Sequence, residues 1–374
     1  MKHLAYLCLS AAWGGLEMNQ VRNAKWMKER GHQVHLVVHQ KSPALAFAIH
    51  ENIPYYIVRK NPSHYQWFFA GQLIRQFKKW GVDHVIFRNN RELSLAASIH
   101  YFSGGRIHVH YFMEMALPGP KKQWFRALRY RWIDHWICPL TYLTQQVKDW
   151  TSFSTANLLT IPSGIELTRC AFSKEAAKNR LNWSQNTLAL VMVGRVDPKK
   201  RQKEIWEAFS KREAPNERLI FVGASTADES NQYEQELRRA IAAHPKNKQV
   251  SWTGFLADLS LVYCAADVLV MASAFETVGM ATLEAQFFGC PVLACNAGGS
   301  YELLTRFGGG LLMQPNLHDF SARLDQLLAN DFPPLHVAFQ QHFSHHAVCQ
   351  AVEEKVLNFE SWTSTPPNNA GNSY

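Results

Sequence analysis

The segment "DVLVMASAFETVGMATLEAQFFGCPVLAC", residues 267–295, carries a pattern from which the fold can be predicted. It starts with an apolar run of strand length and continues with "TLEAQFFG", a helical pattern closed by a glycine. A second apolar run, "PVLAC", ends it. Two strands joined by a helix form a βαβ unit, whose strands are parallel and whose helix covers the sheet. The segment therefore predicts a strand-to-helix loop at the carboxyl edge of a parallel sheet.

The same alternation extends through the chain on both sides of this segment. Candidate helices such as 16–30 and 67–80, the latter followed by Gly81 as a C-cap, separate apolar runs of strand length. We predict strands at 3–10, 33–39, 54–58, 83–87, 106–112, 135–140 and 158–164, and then at 187–194, 218–223, 249–254, 267–273, 291–295 and 309–313. This pattern predicts an α/β protein with two Rossmann-like, doubly wound domains facing a cleft.

Length and charge support a two-domain globular protein that binds anions. The chain has 374 residues, which exceeds the size at which a single core keeps growing. Its net charge of +9 favours phosphates, nucleic acid or an anionic membrane surface as partners. No run approaches the roughly 18 apolar residues of a membrane span.

The cysteines and the N-terminal run bear on the compartment. Seven scattered cysteines without a C-x-x-C pair argue against a disulfide framework or a structural zinc site, and they predict reduced thiols. The run "MKHLAYLCLSAAWGG" resembles a signal peptide, but its short length, alternation and glycine pair fit a first strand and turn better. We therefore expect a cytoplasmic protein.

Two of the predicted strand ends carry residues suited to a phosphate. After the first strand, Gly14 and Gly15 allow a close approach to the backbone, although an ordinary tight turn explains them equally well. The strand that ends at Gly194 is followed by Arg195 and Lys200, a planar fork and a point charge of the kind that binds a diphosphate. For the lysines of this loop, a solvated basic surface is the competing interpretation.

Two further strand ends carry glutamates. Glu276 lies on the loop of the opening segment, Gly279 lies at or near the helix N-terminus, and Glu284 lies on the first turns of that helix. The two carboxylates can flank one ligand while the amides around Gly279 point at its phosphates. In "CNAGGSYELL", a double glycine precedes Glu302, which we interpret as a favourable charge on its own helix dipole.

Taken in order, these features resemble the retaining GT-B glycosyltransferases of family 4. "GGLEMN" resembles the Gly-Gly-x-Glu turn of that family, and "VGRVDPKKRQ" resembles its Gly-Arg…Lys phosphate loop. "SAFETVGMATLEAQFFGCPVLACNAGGSYELL" resembles its E-x7-E block and the strand and double glycine that follow. "PSGIEL" resembles the Pro-Asn-Gly-Ile/Val-Asp hinge, with Ser163 and Glu166 as departures. The matches extend from residue 14 to residue 304.

The resemblance implies a retaining, metal-independent glycosyltransferase without a cofactor. Its donor would be a UDP- or GDP-sugar and its acceptor a glycan or a lipid-linked glycan, in cell-envelope or exopolysaccharide synthesis. The implied division is an acceptor-binding domain at 1–164, a nucleotide-sugar-binding domain at 165–345 and a C-terminal helix at 346–363 that crosses back. The tail at 364–374 contains only turn and disorder residues, and we expect it to be disordered.

Carried over position by position, the resemblance implies roles for particular residues. Arg195 and Lys200 would neutralise the leaving diphosphate, and Glu276 would contact the transferred sugar. Glu284 would bind the ribose hydroxyls, and Gly15 would let the first loop close on the diphosphate. The remaining implied donor contacts come from the backbone of Gly194, Val278, Gly279 and Met280. The family has no protein nucleophile, since the leaving phosphate helps to deprotonate the acceptor.

The family also places a histidine near the donor sugar, and "RIHVHYFMEM" offers two candidates. His108 and His110 fall on one face of the strand, and we predict the catalytic contact from His110 because it is nearer the strand end. A buried structural histidine is the competing interpretation, and Glu114 is a rival polar contact from the same loop.

The segment "KKQWFRALRYRWIDHW", residues 121–136, is basic and aromatic. At helical spacing, Trp124, Leu128 and Trp132 form one stripe with basic residues beside it, which suits a peripheral helix on the inner face of the cytoplasmic membrane. An amphipathic helix packed into its own domain gives the same pattern.

Three other functions compete with sugar transfer. A GT-B sugar-nucleotide epimerase shares the fold but not the full set of glutamates and basic residues. A nucleic-acid-binding protein would suit the charge, but the chain has no RNP, KH or zinc signature, and we expect no nucleic acid partner. A degenerate sugar-nucleotide-binding protein is disfavoured by the intact Glu276, Arg195 and Lys200.

Overall fold

The computed structural model describes residues 1–59, 67–166, 172–225, 231–256, 258–273, 275–332 and 337–358. Two parallel sheets form its framework, and each predicted strand is present. The strands of the first sheet are β1 (His3–Cys8), β2 (Gln33–His39), β3 (Tyr55–Val58), β4 (His84–Phe87), β5 (His108–Phe112), β6 (His135–Cys138) and β7 (Leu158–Thr160). Those of the second are β8 (Leu188–Val193), β9 (Glu217–Val222), β10 (Val250–Gly254), β11 (Val268–Met271), β12 (Val292–Cys295) and β13 (Gly310–Met313).

Helices connect the strands on both faces of each sheet. Those of the first half are α1 (Gly15–Glu29), α2 (Pro43–His50), α3 (Trp67–Trp80), α4 (Leu93–Phe102), α5 (Trp124–Tyr130) and α6 (Thr141–Trp150). Those that follow are α7 (Lys174–Arg180), α8 (Gln202–Ser210), α9 (Gln232–Ala242), α10 (Ser260–Ala265), α11 (Met280–Phe287), α12 (Gly298–Phe307), α13 (Phe320–Leu328), α14 (Val337–Phe343) and α15 (His345–Val352). Gly81 ends α3 in the left-handed conformation, with φ of +67°, as the sequence predicts.

The strand order places a ligand crevice in each domain. The sheets run β3-β2-β1-β4-β5-β6-β7 and β10-β9-β8-β11-β12-β13. In each, the order reverses beside the first strand, between β1 and β4 and between β8 and β11. Ligands of open α/β sheets bind at the carboxyl ends of strands at such switch points. The two domains are therefore doubly wound, and the prediction of the fold is confirmed.

Alternation along the strands builds a core on each face of each sheet. In β1, Ala5 and Leu7 join the core under α3 and α4, whereas Leu4 and Tyr6 join the core under α1 and α2. A separate cluster lies between the two sheets, where Leu140 and Ile165 from one side are buried with Val278, Leu283 and Leu303 from the other. Apolar packing therefore continues across the junction of the domains.

The end of the described chain returns to the first sheet. Ile165 and Ser344 form a parallel bridge, with Ile165 N donating to Phe343 O at 2.9 Å. The buried side chains of α15 then lie in the same core as those of α1 and β1. Arg30 Nε of α1 donates to Glu353 Oε1 at 2.8 Å. The predicted tail at 364–374 lies outside the described residues.

Two other expectations concern thiols and membrane spans. Cys8, Cys138, Cys290, Cys295 and Cys349 are free and buried. Cys264 is disulfide-bonded, so the expectation of reduced thiols is wrong at this position. Within the described ranges, no helix has both the length and the apolar character needed to cross a bilayer.

Candidate functional site

The basic loop after β8 is tightly folded at the second switch point. A short 3-10 turn, Pro198–Lys200, is capped by Asp197, whose side chain accepts from Lys199 N at 2.8 Å. The stem of Lys200 folds back over the end of β8, and a Cβ on Gly194 would lie 3.7 Å from its Cε. The Arg195 side chain is about half exposed, with its guanidinium 3.8 Å from the Asp197 carboxylate. The loop therefore places a lysine and an arginine at the carboxyl end of the sheet.

Lys200 and Glu276, which are far apart in sequence, meet at this edge. Lys200 Nζ donates to Glu276 Oε2 at 2.7 Å, and the two side chains are 29% and 20% exposed. The contact forms because β8 and β11 are neighbours, so the loops after them converge. The structure thus brings together the predicted phosphate loop and the first glutamate of the E-x7-E block.

The loop from Glu276 to Gly279 leads into the N-terminus of α11. Gly279 is the N-cap, with φ of +79°, and Met280 is the first helical residue, so the first free amides of the helix open onto this loop. The Val278 side chain is buried between the domains. Its backbone is therefore the part that a ligand could reach.

The double glycine after β12, Gly298 and Gly299, packs against this loop. Gly299 N donates to Glu276 O at 2.6 Å. A Cβ on Gly298 would lie 2.3 Å from Glu276 O, and one on Gly299 would lie 2.6 Å from Val278 O. Only glycine fits so close to these carbonyl groups, so the two glycines determine the position of the loop.

Glu284 has a different environment from Glu276. It is partly buried, and Tyr263 Oη of α10 donates to its Oε2 at 2.9 Å. Burial raises the pKa of the Glu284 carboxyl, while the Tyr263 hydroxyl and the positive charge of Arg22 on α1 counteract the rise. Sequence reasoning missed Tyr263, which lies within an apolar helix and has no motif of its own. The two glutamates therefore have separate partners.

Glu302 does not act on the dipole of its own helix, as the sequence suggested. Its Oε1 accepts from Thr141 N and its Oε2 from Tyr142 N, both at 2.8 Å. These amides begin α6 in the first domain, so Glu302 caps a helix of the opposite domain. Neither Tyr142 nor this contact was apparent from the sequence.

The glycine pair after β1 begins α1, as predicted. Gly14 is the N-cap, and its N–H donates to Glu17 Oε2 at 3.0 Å, which closes the turn. A Cβ on Gly15 would meet no described atom within 4 Å. Packing among the described residues therefore does not require a glycine at position 15.

A buried polar network fills the crevice beside α1 in the first domain. Arg88, directly after β4, donates to Gln20 Oε1 at 2.9 Å and pairs with Glu114, which follows β5. Glu114 also accepts from Asn19 Nδ2 at 3.0 Å and from Ser163 Oγ at 2.9 Å. This network ties the ends of two strands to α1 and to the segment that leads into the second domain. Glu114 is thus engaged within the domain, and Arg88 was missed.

His110 does not lie at the cleft, which contradicts its predicted position. It is 1% exposed, and its ring lies between those of His84, at 2.9 Å, and His135, at 3.2 Å. It pairs in register with Ile86 in the interior of the sheet, and β5 continues to Phe112. Burial lowers the pKa of His110 well below its usual value. The alternation and the end of the strand at residue 112 were predicted correctly, but His110 lies two residues before that end, inside the sheet.

The basic aromatic segment is helical only in part. The helix α5 ends at Tyr130, so Trp132 lies beyond it and packs partly against the core, 4.9 Å from the ring of Tyr101. Leu128 is exposed, while the side chain of Trp124 lies outside the described part. The described residues therefore do not form the single predicted stripe.

Two family models match the chain in consecutive ranges. The model of Glycosyltransferase Family 4 matches residues 13–169, and the model of Glycosyl transferases group 1 matches residues 173–344. The ranges include every strand except β1 and every strand-end feature described above.

Characterised relatives match only part of this chain, at low sequence identity. A GDP-mannose-dependent monoacylated alpha-(1-6)-phosphatidylinositol monomannoside mannosyltransferase of Corynebacterium glutamicum is 28% identical over 183 residues, 45% of this chain and 46% of the relative. A UDP-Gal:alpha-D-GlcNAc-diphosphoundecaprenol alpha-1,3-galactosyltransferase of Escherichia coli is 26% identical over 163 residues, 42% of this chain and 41% of the relative. The chain thus matches less than half the length of these relatives.

Solved structures share the fold over nearly the whole chain. The Anabaena protein Alr3699/HepE in complex with UDP and glucose has a TM-score of 0.79 at 18% identity, covering 96% of this chain and 100% of that one. WaaG, a glycosyltransferase involved in lipopolysaccharide biosynthesis, has a TM-score of 0.65 at 17% identity, covering 94% and 99%. With the family matches, this likeness leads to one conclusion: the chain belongs to the family 4, group 1 glycosyltransferases and has their GT-B fold.

Proposed function

We propose that this chain transfers a sugar from a nucleotide diphosphate sugar to a glycan or lipid-linked acceptor, with retention of configuration and without a metal ion. The observation that carries the proposal is the pairing of Lys200 with Glu276, 2.7 Å apart at the switch point of the second sheet. A diphosphate requires cations and amide donors, and a sugar requires acceptors for its hydroxyls. The N-terminus of α11 adds the amides beside this pair.

Positive charge at the leaving group supplies the main catalytic effect in this proposal. Lys200, Arg195 and the first amides of α11 stabilise the negative charge that develops on the phosphate oxygen as its bond to the anomeric carbon breaks. The acceptor hydroxyl oxygen bonds to the same carbon from the same face, and its proton passes to the departing phosphate oxygen. Configuration is then retained without a protein nucleophile. These cationic groups take the part that a divalent ion has in other transferases, so we propose metal-independent transfer.

The other donor contacts follow the geometry of the two glutamates. Glu284, partly buried one turn inside α11, would accept from the ribose hydroxyls, and Glu276 would accept from the hydroxyls of the sugar. Gly15, with open space around it, would let the turn after β1 approach the diphosphate. We do not assign the sugar contact to His110, because its ring is buried within the sheet.

Relatives suggest the class of donor and acceptor. The two relatives above are named for GDP-mannose and UDP-galactose as donors, and both are named for lipid-linked acceptors. We therefore propose a UDP- or GDP-sugar as the donor and an acceptor bound by the first domain, in cell-envelope or exopolysaccharide synthesis. The enzyme would act in the cytoplasm.

A lipid-linked acceptor would bring the protein to a membrane surface. Tyr101, Phe102 and Leu128 are exposed apolar side chains on α4 and α5, and Arg131, which directly follows α5, is also exposed. Apolar and basic groups together favour peripheral binding to anionic lipid. Sedimentation with phosphatidylglycerol vesicles should exceed that with phosphatidylcholine vesicles, and Leu128→Glu with Arg131→Glu should abolish the difference. Equal sedimentation with both lipids would contradict membrane contact.

Donor binding tests the function directly. UDP-glucose, UDP-galactose, GDP-mannose and ADP-glucose should be compared for thermal stabilisation and for release of the nucleotide, with and without EDTA. We expect one nucleotide class to stabilise the protein, nucleotide release to persist in EDTA, and NMR of a transfer product to show the anomeric configuration of the donor. Glu276→Gln should lower turnover by about 10²-fold or more, whereas the control Glu236→Gln, at an exposed position of α9, should not.

The outcomes separate the competing functions. If no nucleotide sugar binds, the proposal is wrong, and salt-sensitive binding of RNA in its place would favour the nucleic-acid-binding alternative. Inversion at a sugar carbon without any acceptor would favour the epimerase.

A further inference from the structure

Among the described residues of the first domain, no side chain caps the start of helix α6. Its N-cap residue is Leu140, which has no side-chain acceptor for the first backbone N–H groups. Glu302 of the second domain accepts from two of these groups, those of Thr141 and Tyr142, at 2.8 Å each. The carboxylate also interacts favourably with the positive end of the helix. One side chain thus joins the facing edges of the two domains.

Tyr142 extends this junction into the donor loop. Its hydroxyl donates to the carbonyl oxygen of Thr277 at 2.5 Å, and its ring meets that of Phe275 edge-on, with 6.3 Å between centroids. Burial raises the pKa of the Tyr142 hydroxyl, and the nearby carboxylates of Glu302 and Glu276 raise it further. The hydroxyl therefore remains a hydrogen-bond donor at neutral pH.

The two carbonyl groups at the start of the loop are held from opposite domains. Glu276 O accepts from Gly299 N, within the second domain, and Thr277 O accepts from Tyr142, in the first. The next side chain, that of Val278, is buried in the cluster that includes Leu140. The conformation that places Glu276 beside Lys200 therefore depends on contact with the first domain.

We propose that Glu302 and Tyr142 are positioning residues, which we call the interdomain latch: they hold the loop from Glu276 to Gly279 in the conformation that binds the sugar of the donor. This inference rests on the proposed function. The ribose would be bound by Glu284 and the diphosphate by the basic loop and the first amides of α11, and none of the latch contacts described above is made to these groups. Loss of the latch should therefore affect the sugar half of the donor and leave the nucleotide half unaffected.

Three substitutions and a matched control test the latch. Tyr142→Phe removes one hydroxyl and keeps the ring, Glu302→Ala removes both caps, and Glu302→Gln keeps one acceptor oxygen. Tyr301→Phe is the control, since Tyr301 is 49% exposed and adjacent to Glu302 on the same helix. For each protein, calorimetry should give the affinities for UDP, UDP-glucose, GDP and GDP-mannose, and nucleotide release and the unfolding temperature should also be measured.

We expect the variants to separate sugar-dependent from nucleotide-dependent effects. Tyr142→Phe should lower the turnover number for nucleotide release by about three- to tenfold, and Glu302→Ala by about ten- to hundredfold, with Glu302→Gln between them. Affinity for UDP or GDP, whichever the wild type binds, should change by less than about twofold, because the proposed contacts of the nucleotide are intact. Tyr301→Phe should behave as the wild type.

Two outcomes would overturn the inference in different ways. If the wild type binds nucleotide sugars but the variants lose nucleotide and nucleotide-sugar affinity in parallel with a lower unfolding temperature, the latch is only a structural contact. If the wild type binds none of the four ligands, the proposed function is wrong, and the inference falls with it.

Discussion

Replacing Gly299 with alanine should impair the proposed donor site while the protein remains folded. Gly299 is the second residue of α12, and its N–H donates to Glu276 O at 2.6 Å. Its φ is not positive, so the backbone itself would accept alanine. Helix propensity would even favour alanine by about 1 kcal/mol. The expected effect therefore depends on the space around the new methyl group.

That space is too small. A Cβ at position 299 would lie 2.6 Å from Val278 O and 2.8 Å from both Thr277 O and Val278 C. These are backbone atoms held from both domains, so they cannot rotate away as a flexible side chain would. Overpacking of this kind costs about 1–3 kcal/mol, which cancels or outweighs the gain in propensity. A loop displaced by several tenths of an ångström would also misplace Glu276, and misplacement of about 1 Å can cost 10²-fold in rate.

We expect Gly299→Ala to lower kcat/KM for the donor by about 10- to 100-fold, and the unfolding temperature by no more than roughly 8 °C. Gly71→Ala is the matched control, because Gly71 is also helical and a Cβ there would meet no described atom within 4 Å. The control should retain full activity and unfold at the same or a higher temperature. Wild-type kinetics for Gly299→Ala would show that the double glycine does not position the loop.

Three further predictions concern charges. Lys200→Met should lower kcat by about 10²- to 10³-fold but barely change the urea midpoint, because its ion pair is partly exposed; Lys199→Met is its control, and equal kinetics of the two variants would argue against the assignment. Tyr263→Phe removes the hydroxyl that opposes the burial-raised pKa of Glu284, so the carboxylate should be protonated at a higher pH. As the pH is lowered, calorimetry should therefore show that nucleotide binding begins to weaken at a higher pH than in the wild type; an unchanged pH profile would contradict this role. Burial lowers the pKa of His84 from 6.5 to about 3, so the unfolded chain takes up a proton first as the pH falls. His84 should therefore lower the free energy of unfolding from about pH 6.5 downward, by about 2 kcal/mol at pH 5, and the decrease should be less steep in His84→Phe. The same pH dependence of the urea-unfolding free energy in the two proteins would refute the assignment.

The fold was predictable because of how parallel sheets are buried. Their strands are covered on both faces and read as continuous apolar runs, which is why the runs at 187–194 and 218–223 matched β8 and β9. The ends of strands were less predictable, since apolar runs continue into loops. The run at 158–164 was predicted as one strand, but β7 ends at Thr160 and the remainder passes into the segment between the domains.

The candidate site was predictable only where a motif follows a strand. The loops with Lys200 and Glu276 were found in this way. The contacts of Arg88 and Tyr142 depend on which strands and domains are neighbours in space, and the spacing of residues along the sequence does not reveal that arrangement. Arg88 did leave one signal, a charged residue directly after the buried run "HVIF". His110 was misassigned because it lies two residues before the end of β5, and alternation identifies the face of a strand but not whether a residue on that face reaches a ligand.

The two glutamates of the E-x7-E block have separate partners, which argues against an acid–base pair that shares a proton. Such a pair requires two carboxyl groups that perturb each other, as in glycosidases. The raised pKa of Glu284 has its main cause in burial, opposed by Tyr263 and Arg22, and Glu276 is not among the causes. Glu276 instead pairs with Lys200. One carboxylate lies before the N-terminus of α11 and the other lies one turn inside it, so the two are suited to different parts of an elongated ligand with its phosphates between them.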